Sequence, residues 1–222
     1  MTEVQARDEI CRVGESLFAR GYVHATAGNI SVRLDGGDFL ITPTDACLGF
    51  LEPSRLAKVT SGGVQVSGDP ASKTLALHRH IYAAASRLDA DTACVIHSHS
   101  THCVALTLKD PACEELLPPI TPYFVMKVGH VPIISYHRPG DPQAALQVAS
   151  TIERYISQGT PIRAVMLERL GPNVWHHSPA AAMAVLEELE ETARLMCLHP
   201  TSLSPLTPFQ LQELRDCFGA RW

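Results

Sequence analysis

Residues 29–42 read Asn-Ile-Ser-Val-Arg-Leu-Asp-Gly-Gly-Asp-Phe-Leu-Ile-Thr and predict two short strands joined by a tight turn. The strands would cover Asn29–Arg33 and Phe39–Thr42, with the glycine-containing turn at residues 35–38. A second hairpin is expected around Ser61–Gly63. Because the strands of a doubly wound parallel sheet are joined by helical crossovers, hairpins mixed with helices favour an α+β or mixed-sheet layered fold.

Apolar periodicity marks the segments that would pack on this sheet. It predicts helices at Glu3–Arg20, Lys73–Ser86, His102–Leu108, Pro142–Ser157, Ser178–Leu198 and Phe209–Phe218, with Ser72 as the cap of the second. Further strands are expected at Ala93–Ile96, Val131–Tyr136, Arg163–Leu167 and Asn173–Trp175, and a Pro-rich loop at Pro118–Pro119. Because no repeat or low-complexity linker interrupts the pattern, we expect one domain over residues 1–222.

Composition narrows the class of protein. Hydrophobic residues make up 45% and charged residues 18% of the 222 residues, which is enough apolar material for a sizeable core. The net charge is −5 and there is no long basic run, so neither a nucleic acid nor an anionic membrane is an expected partner.

Sequence features also bear on the expected location. No apolar run approaches the roughly 20 residues of a membrane span, and residues 1–8 lack the basic and apolar stretches of a signal peptide. The seven cysteines are scattered, odd in number and without a Cys-x-x-Cys pair, which favours reduced thiols. We therefore expect a cytoplasmic protein.

A histidine-rich segment follows the predicted strand Ala93–Ile96. It reads His97-Ser98-His99-Ser100-Thr101-His102. In an extended chain residues i and i+2 point to the same side, so His97 and His99 could bind one metal ion. The alternative is a pair of ordinary polar residues at a strand end, and a catalytic zinc site would need a third ligand from elsewhere in the chain.

Two further segments carry donors that suit an anion. Residues 26–33, Thr-Ala-Gly-Asn-Ile-Ser-Val-Arg, combine a flexible glycine with hydroxyl, amide and guanidinium groups. Thr42-Pro43-Thr44 and Ser72-Lys73 add hydroxyls and a cation, so that together these segments could hold a phosphate. Gly-Asn is also a common turn, which is the simpler interpretation of the first segment taken alone.

Taken in chain order, these and several neighbouring segments resemble the class II aldolase/adducin family, and the likeness extends over nearly the whole chain. The likeness rests on residues 26–33, Ile41–Thr44, Leu77–Arg79, His97–His102 and Glu187–Leu195. Residues 121–129, 136–141 and 47–51 look most like its branch of 3-oxo-tetronate 4-phosphate decarboxylases, and L-fuculose-phosphate aldolase is a more distant relative. The resemblance implies a three-layer α/β/α fold around a largely antiparallel sheet, a divalent metal, typically zinc, and a homotetramer with active sites at subunit interfaces.

The resemblance also implies roles for individual residues. It makes His97 and His99 metal ligands. It places Asn29, Thr44 and Ser72 at the substrate phosphate, with Lys73 beside them and Thr26 in the same loop. Tyr123 lies near the position of a tyrosine that donates a proton in the aldolases, although an aromatic residue packing a loop is an equal alternative.

Two positions depart from the pattern of the family. Thr74 stands where members usually have the acid/base glutamate, and a hydroxyl cannot act as a carboxylate base near neutral pH. Leu170 stands where members usually have the third histidine ligand, and leucine cannot bind metal. A retained metal would then be weakly bound, or would need a substitute ligand: a carboxylate or His24, His102, His130, His137, His176 or His177.

Three hypotheses remain open from the sequence. The first is a metal-dependent carbon–carbon lyase that decarboxylates a four-carbon 3-oxo sugar-acid phosphate, with catalytic positions at Thr74 and Tyr123. The second is a catalytically silent subunit that binds a ligand or stabilises an assembly. The third is a sugar-phosphate dehydratase or aldolase with a re-sited metal ligand. Fold alone cannot choose between them.

Overall fold

An eight-stranded sheet forms the centre of the protein in the computed structural model, which describes residues 1–108, 113–199 and 203–222. The strands are β1 (Asn29–Arg33), β2 (Phe39–Ile41), β3 (Ala57–Val59), β4 (Gln65–Ser67), β5 (Cys94–His97), β6 (Ile133–Ile134), β7 (Ala164–Leu167) and β8 (Gly171–His176). Their order across the sheet is β4-β3-β2-β1-β5-β8-β7-β6. The β6–β7 pair is parallel and the other neighbours are antiparallel. Both predicted hairpins are confirmed.

Helices cover the two faces of the sheet. They are α1 (Glu3–Ala19), α2 (Leu75–Ala85), α3 (Thr101–Leu106), α4 (Pro122–Lys127), α5 (Pro142–Ser157), α6 (Pro179–Leu198) and α7 (Pro208–Phe218). One hydrophobic cluster joins α1, α3, α4 and α6 to one face, and a second joins α2 and α5 to the other. The predicted three-layer α/β/α arrangement is therefore confirmed. No helix among the described residues is long and apolar enough to cross a membrane.

Local sequence explains where several helices begin. The side chains of Thr121, Asp141 and Ser178 each accept a backbone N–H from the first turn of the helix that follows, and a proline occupies the next position in each case. Both features favour helix initiation, since the cap satisfies a free N–H and proline lacks one.

Three elements differ from the sequence-based expectation. Ser72 does not cap α2: the helix begins at Leu75, and the Ser72 hydroxyl bonds instead to that of Thr74 at 2.8 Å. Helix α4 was not predicted, because it begins at Pro122, just after the proline-rich segment Pro118–Pro119 that is typical of a loop. Strand β6 covers two residues rather than Val131–Tyr136: Ile133 and Ile134 pair with β7, whereas Pro132 forms only an isolated bridge to Glu115.

Helix α2 buries a histidine against the sheet. His78 has no exposed surface, and its Nδ1 lies 2.7 Å from the hydroxyl of Ser31 on β1. Burial lowers the pKa of His78 to about 3, and the neighbouring His97 contributes to the lowering. The ring is therefore neutral in the folded protein near neutral pH.

We expect this histidine to make the protein sensitive to acid. Its folded pKa lies below that of an unfolded chain, so the unfolded state binds the proton first and stability falls as pH drops from about 6.5 towards 3. The loss approaches about 1.4 kcal/mol per pH unit for one such group. Urea unfolding at pH 7 and pH 5 should show a smaller loss of stability for His78→Phe than for the wild type. Exposed His177 provides the control, because His177→Gln should retain the wild-type loss. Equal losses in all three proteins would contradict this account.

Candidate functional site

A cavity of about 720 Å³ opens where β5 ends, bounded by α2 and by the first turn of α5. It is lined by the following residues predicted from the sequence: Thr26, Asn29, Thr44, Ser72, Lys73, Thr74, His97 and His99. The structure thus brings together all but one of the site residues proposed above. The exception is Tyr123.

Strand register sets the position of two of these side chains. Asn29 on β1 pairs with His97 on β5, so both project from the same face of the sheet as direct neighbours. Gly28 makes this approach possible, because its φ is +83° and a Cβ atom there would lie 2.9 Å from the carbonyl oxygen of His97. The glycine of the predicted anion-binding segment is therefore needed for close backbone packing.

The hydroxyl segments meet beside α2. The backbone N–H of Ser72 donates to the carbonyl of Thr42 at 3.2 Å, and the N–H of Thr44 donates to the carbonyl of Pro70 at 2.8 Å. These bonds hold the two chain segments side by side at the N-terminus of α2. The first-turn N–H groups of a helix have no acceptor within the helix, and its dipole favours an anion there. Lys73 adds an exposed cation at the same point.

The two histidines at the end of β5 face one cavity with ring centroids 5.0 Å apart. Nδ1 of His97 donates to the carbonyl of Pro172 at 3.1 Å, which leaves Nε2 as the free acceptor nitrogen. Burial, with a contribution from His99, lowers the pKa of His97 to about 3. Burial, with a contribution from His24, also lowers the pKa of His99. Both rings are therefore neutral near pH 7, the form that binds a metal.

The position expected for a third ligand lies in the same cavity and carries no donor atom. Leu170 lines the cavity and packs against the hydrophobic cluster under α2 and α5. Among the described residues no group of three or more His, Cys, Asp or Glu side chains is arranged to hold a metal ion. The two histidines could therefore supply two ligands to a metal ion, but the described residues do not complete a site with three protein ligands.

The histidines that could replace the missing third metal ligand fall into two groups, those that line the cavity and those that do not. Of the histidines considered, His24 and His137 line the cavity, and the His24 ring lies 6.1 Å from that of His99. The rest do not line it: His102 bonds to Glu190, His130 bonds to Glu115, His176 contacts Arg163, and His177 follows His176 at the far end of β8.

Tyr123 lies outside this cavity. It is 62% exposed on α4, on the opposite face of the sheet from α2. Within one chain it does not reach the site, so its proton-donor role stays a prediction. That role would require the tyrosine to act on the cavity of another subunit.

Sequence reasoning missed several polar side chains of the cavity wall. His80, Arg138 and Glu168 line the cavity, and Glu168 accepts the backbone N–H of Tyr136 at 2.9 Å. Residues 136–141 carried part of the family resemblance without an assigned role. The sequence motif at residues 136–141 could have pointed to these side chains, because it contains Arg138 and because Glu168 bonds to the backbone of its first residue, Tyr136.

Comparison with known proteins identifies the family. The family model described as Class II Aldolase and Adducin N-terminal domain matches residues 8–197. The chain is 52% identical to a 3-oxo-tetronate 4-phosphate decarboxylase from Cupriavidus necator, over 100% of this chain and 99% of that protein.

Solved structures agree with this assignment. The crystal structure of YgbL from Klebsiella pneumoniae is 40% identical, with a TM-score of 0.87 over 97% of this chain and 100% of that one. L-fuculose-1-phosphate aldolase from Thermus thermophilus is 27% identical, with a TM-score of 0.73 over 88% of this chain and 94% of that one. By fold, motifs and overall similarity, the chain belongs to the class II aldolase and adducin N-terminal domain family.

Proposed function

We propose that this chain is a carbon–carbon lyase that releases carbon dioxide from a phosphorylated four-carbon 3-oxo sugar acid. The observation that carries the proposal is that one cavity contains two groups of side chains. One group, which we call the phosphate cradle, consists of Asn29, Thr44, Ser72 and Lys73, and the other is the pair of neutral histidines. The 52% identity to a 3-oxo-tetronate 4-phosphate decarboxylase over the full chain supports the same reaction.

The cradle would hold the phosphate end of the substrate. Asn29, Thr44 and Ser72 offer an amide and two hydroxyls, and Lys73 offers a charge. Together with the N-terminus of α2 they offer the hydrogen-bond donors and positive charge that a phosphate requires. The carboxylates of Asp45, Asp141 and Glu168 line the same cavity. Thr26 lies on the same wall and extends it.

Decarboxylation suits a site that lacks the usual base. When the bond to the carboxylate breaks, its electron pair moves into the 3-oxo group, carbon dioxide leaves and an enediolate remains. This step removes no proton, whereas an aldol cleavage begins by deprotonating a hydroxyl. Thr74, whose hydroxyl bonds to Ser72 at 2.8 Å, is therefore compatible with the reaction as a neutral hydrogen-bonding group.

The enediolate must then receive one proton. Tyr123 remains the predicted donor, and its exposed position on α4 means that it would serve a neighbouring subunit. We accordingly retain the proposal of a homotetramer with sites between subunits. The cytoplasmic location also remains a proposal.

Class II aldolases generally use a divalent metal ion, which stabilises negative charge on substrate oxygens when bound. In this chain His97 and His99 would hold it through their free nitrogens, and we propose zinc because two imidazoles suit that ion. With Leu170 beside them we expect weak binding.

A catalytically silent subunit is the second candidate. Thr74 and Leu170 favour it, since both changes remove reactive groups while the phosphate cradle remains. A dehydratase or an aldolase with a re-sited ligand is a third candidate, but the two-ligand donor set offers it no specific support.

We expect purified protein supplied with zinc to release carbon dioxide from 3-oxo-tetronate 4-phosphate in a time-dependent manner. Release can be measured by mass spectrometry with a substrate labelled with ¹³C in the carboxylate. The unphosphorylated acid is the matched substrate control and should react poorly, because it cannot fill the cradle. Binding of the phosphorylated acid without release of carbon dioxide would contradict the lyase and favour the silent subunit.

Thr44→Val tests the cradle separately. The two side chains have nearly the same shape, so the variant removes one hydroxyl that has no hydrogen-bond partner among the described residues. Loss of one hydrogen bond to a charged group, worth about 1.5–3 kcal/mol, should raise KM roughly 10-fold or more and change kcat little. Thr160→Val, outside the cavity, should leave KM unchanged. An unchanged KM for Thr44→Val would remove this residue from the phosphate site.

A further inference from the structure

The segment Glu187–Leu195 carried part of the family resemblance without an assigned role, and the structure buries one of its carboxyl groups. Glu190 lies on α6 and is only 4% exposed, whereas the other glutamates of the segment are not buried. A carboxyl group inside a hydrophobic layer needs hydrogen-bond partners. The partners of Glu190 therefore indicate what this residue does.

These partners belong to the first turn of α3. Oε1 of Glu190 accepts the backbone N–H of His102 at 2.9 Å, and Oε2 accepts that of Cys103 at 3.1 Å. Nδ1 of His102 also lies 2.8 Å from Oε1. Because the first N–H groups of a helix have no acceptor within that helix, Glu190 takes the place of an N-cap side chain, although it comes from another helix.

Ser100 occupies the N-cap position of α3 but does not cap the helix. Every residue of α3 is described, and none of its N–H groups donates to the Ser100 hydroxyl. A serine cap usually accepts the N–H of the second or third helical residue, and Glu190 accepts both of these. The Ser100 hydroxyl bonds instead to the hydroxyl of Ser98 at 2.5 Å.

The bond between the two serines spans His99. Both serines are fully buried, and the ring of the residue between them lines the cavity. On one side the backbone N–H of Ser98 donates to the carbonyl of Pro172 at 3.1 Å, and on the other side the loop continues directly into α3. The position of His99 therefore depends on the serine–serine bond and on where α3 is held.

We propose that Glu190 is a positioning residue for His99. By accepting the first-turn N–H groups of α3, it leaves the Ser100 hydroxyl free to bond to Ser98, and this bond fixes the loop that carries His99 into the cavity. Glu190 does not line the cavity, and α6 lies on the opposite face of the sheet from α2, so it acts only through α3 and the loop. The consequence for metal binding rests on the proposed function, whereas the exchange of caps does not.

A double-mutant cycle tests the exchange of caps. Ser98→Ala breaks the serine–serine bond and should lower the urea midpoint of unfolding of the otherwise wild-type protein. In Glu190→Gln the new amide places a donor against one N–H, so Ser100 turns to cap the helix and its bond to Ser98 is already lost. Adding Ser98→Ala should then lower the midpoint much less. Equal reductions in the two backgrounds would overturn the proposal.

Glu191→Gln provides the matched control. It makes the same chemical change at the next residue of α6, but the Glu191 side chain is 54% exposed and lies 3.6 Å from Arg194. In this background Ser98→Ala should lower the midpoint as much as it does in the wild type.

Calorimetric titration with zinc supplies the functional readout. We expect Glu190→Gln and Ser98→Ala each to weaken zinc binding about 10-fold, the lower end of the losses caused by removing groups that orient a metal ligand. Val185→Ala controls for stability alone, because it removes buried apolar volume from α6 and no hydrogen-bonding group, and it should bind zinc as the wild type does. A lower midpoint for Glu190→Gln with unchanged zinc affinity would mean a purely structural role and would overturn the proposal.

The two measurements fail independently. Failure of the wild type to bind zinc would count against the proposed metal-dependent function, while the cycle would still decide the role of Glu190. If Glu190→Gln does not fold, Ser100→Ala decides instead. The backbone N–H of Cys103 should then keep its wild-type protection from hydrogen exchange, because Glu190 still accepts it. Faster exchange at Cys103 would mean that Ser100 is the cap, and would overturn the proposal.

Discussion

The pairing of β1, β5 and β8 is the constraint on which the rest of this site depends. Because paired residues share a face of the sheet, the register places Asn29, His97 and Asn173 in one row. His97 also ends its strand, so the chain leaves the sheet there and carries His99 into the cavity. A shift by one residue would turn His97 and Asn29 into the opposite hydrophobic layer.

We propose that the chain keeps the phosphate-binding part of an aldolase site and departs from the family in the part that carries out the reaction. Segments that meet beside α2 still present the donors that a phosphate needs. By the family resemblance, Thr74 stands at the position of the base and Leu170 at the position of the third metal ligand, and neither side chain can take that role. Decarboxylation is compatible with such a site, because the reaction needs stabilisation of negative charge and a proton donor but does not need a base.

Local patterns predicted the parts of the protein that are determined locally. The glycine-rich turn specified the β1–β2 hairpin, and the spacing of His97 and His99 specified two side chains on one side of the chain. The pairing of Asn173 with His97 and the contact of His78 with Ser31 could not be foreseen, since they join strands and a helix far apart in sequence. For the same reason, the sequence did not show that Tyr123 lies outside the cavity of its own chain.

Zinc titration of metal-free protein tests the central claim, that Leu170 leaves His97 and His99 as a two-ligand site. Calorimetry should show that Leu170→His binds zinc about 10-fold more tightly than the wild type, or better, given the 10–100-fold losses caused by removing mere supporting partners of metal ligands. Leu88→His, which adds a histidine at an exposed position outside the cavity, should bind as the wild type does. Equal affinity in the wild type and Leu170→His would mean that another residue supplies the third ligand, and would contradict the claim.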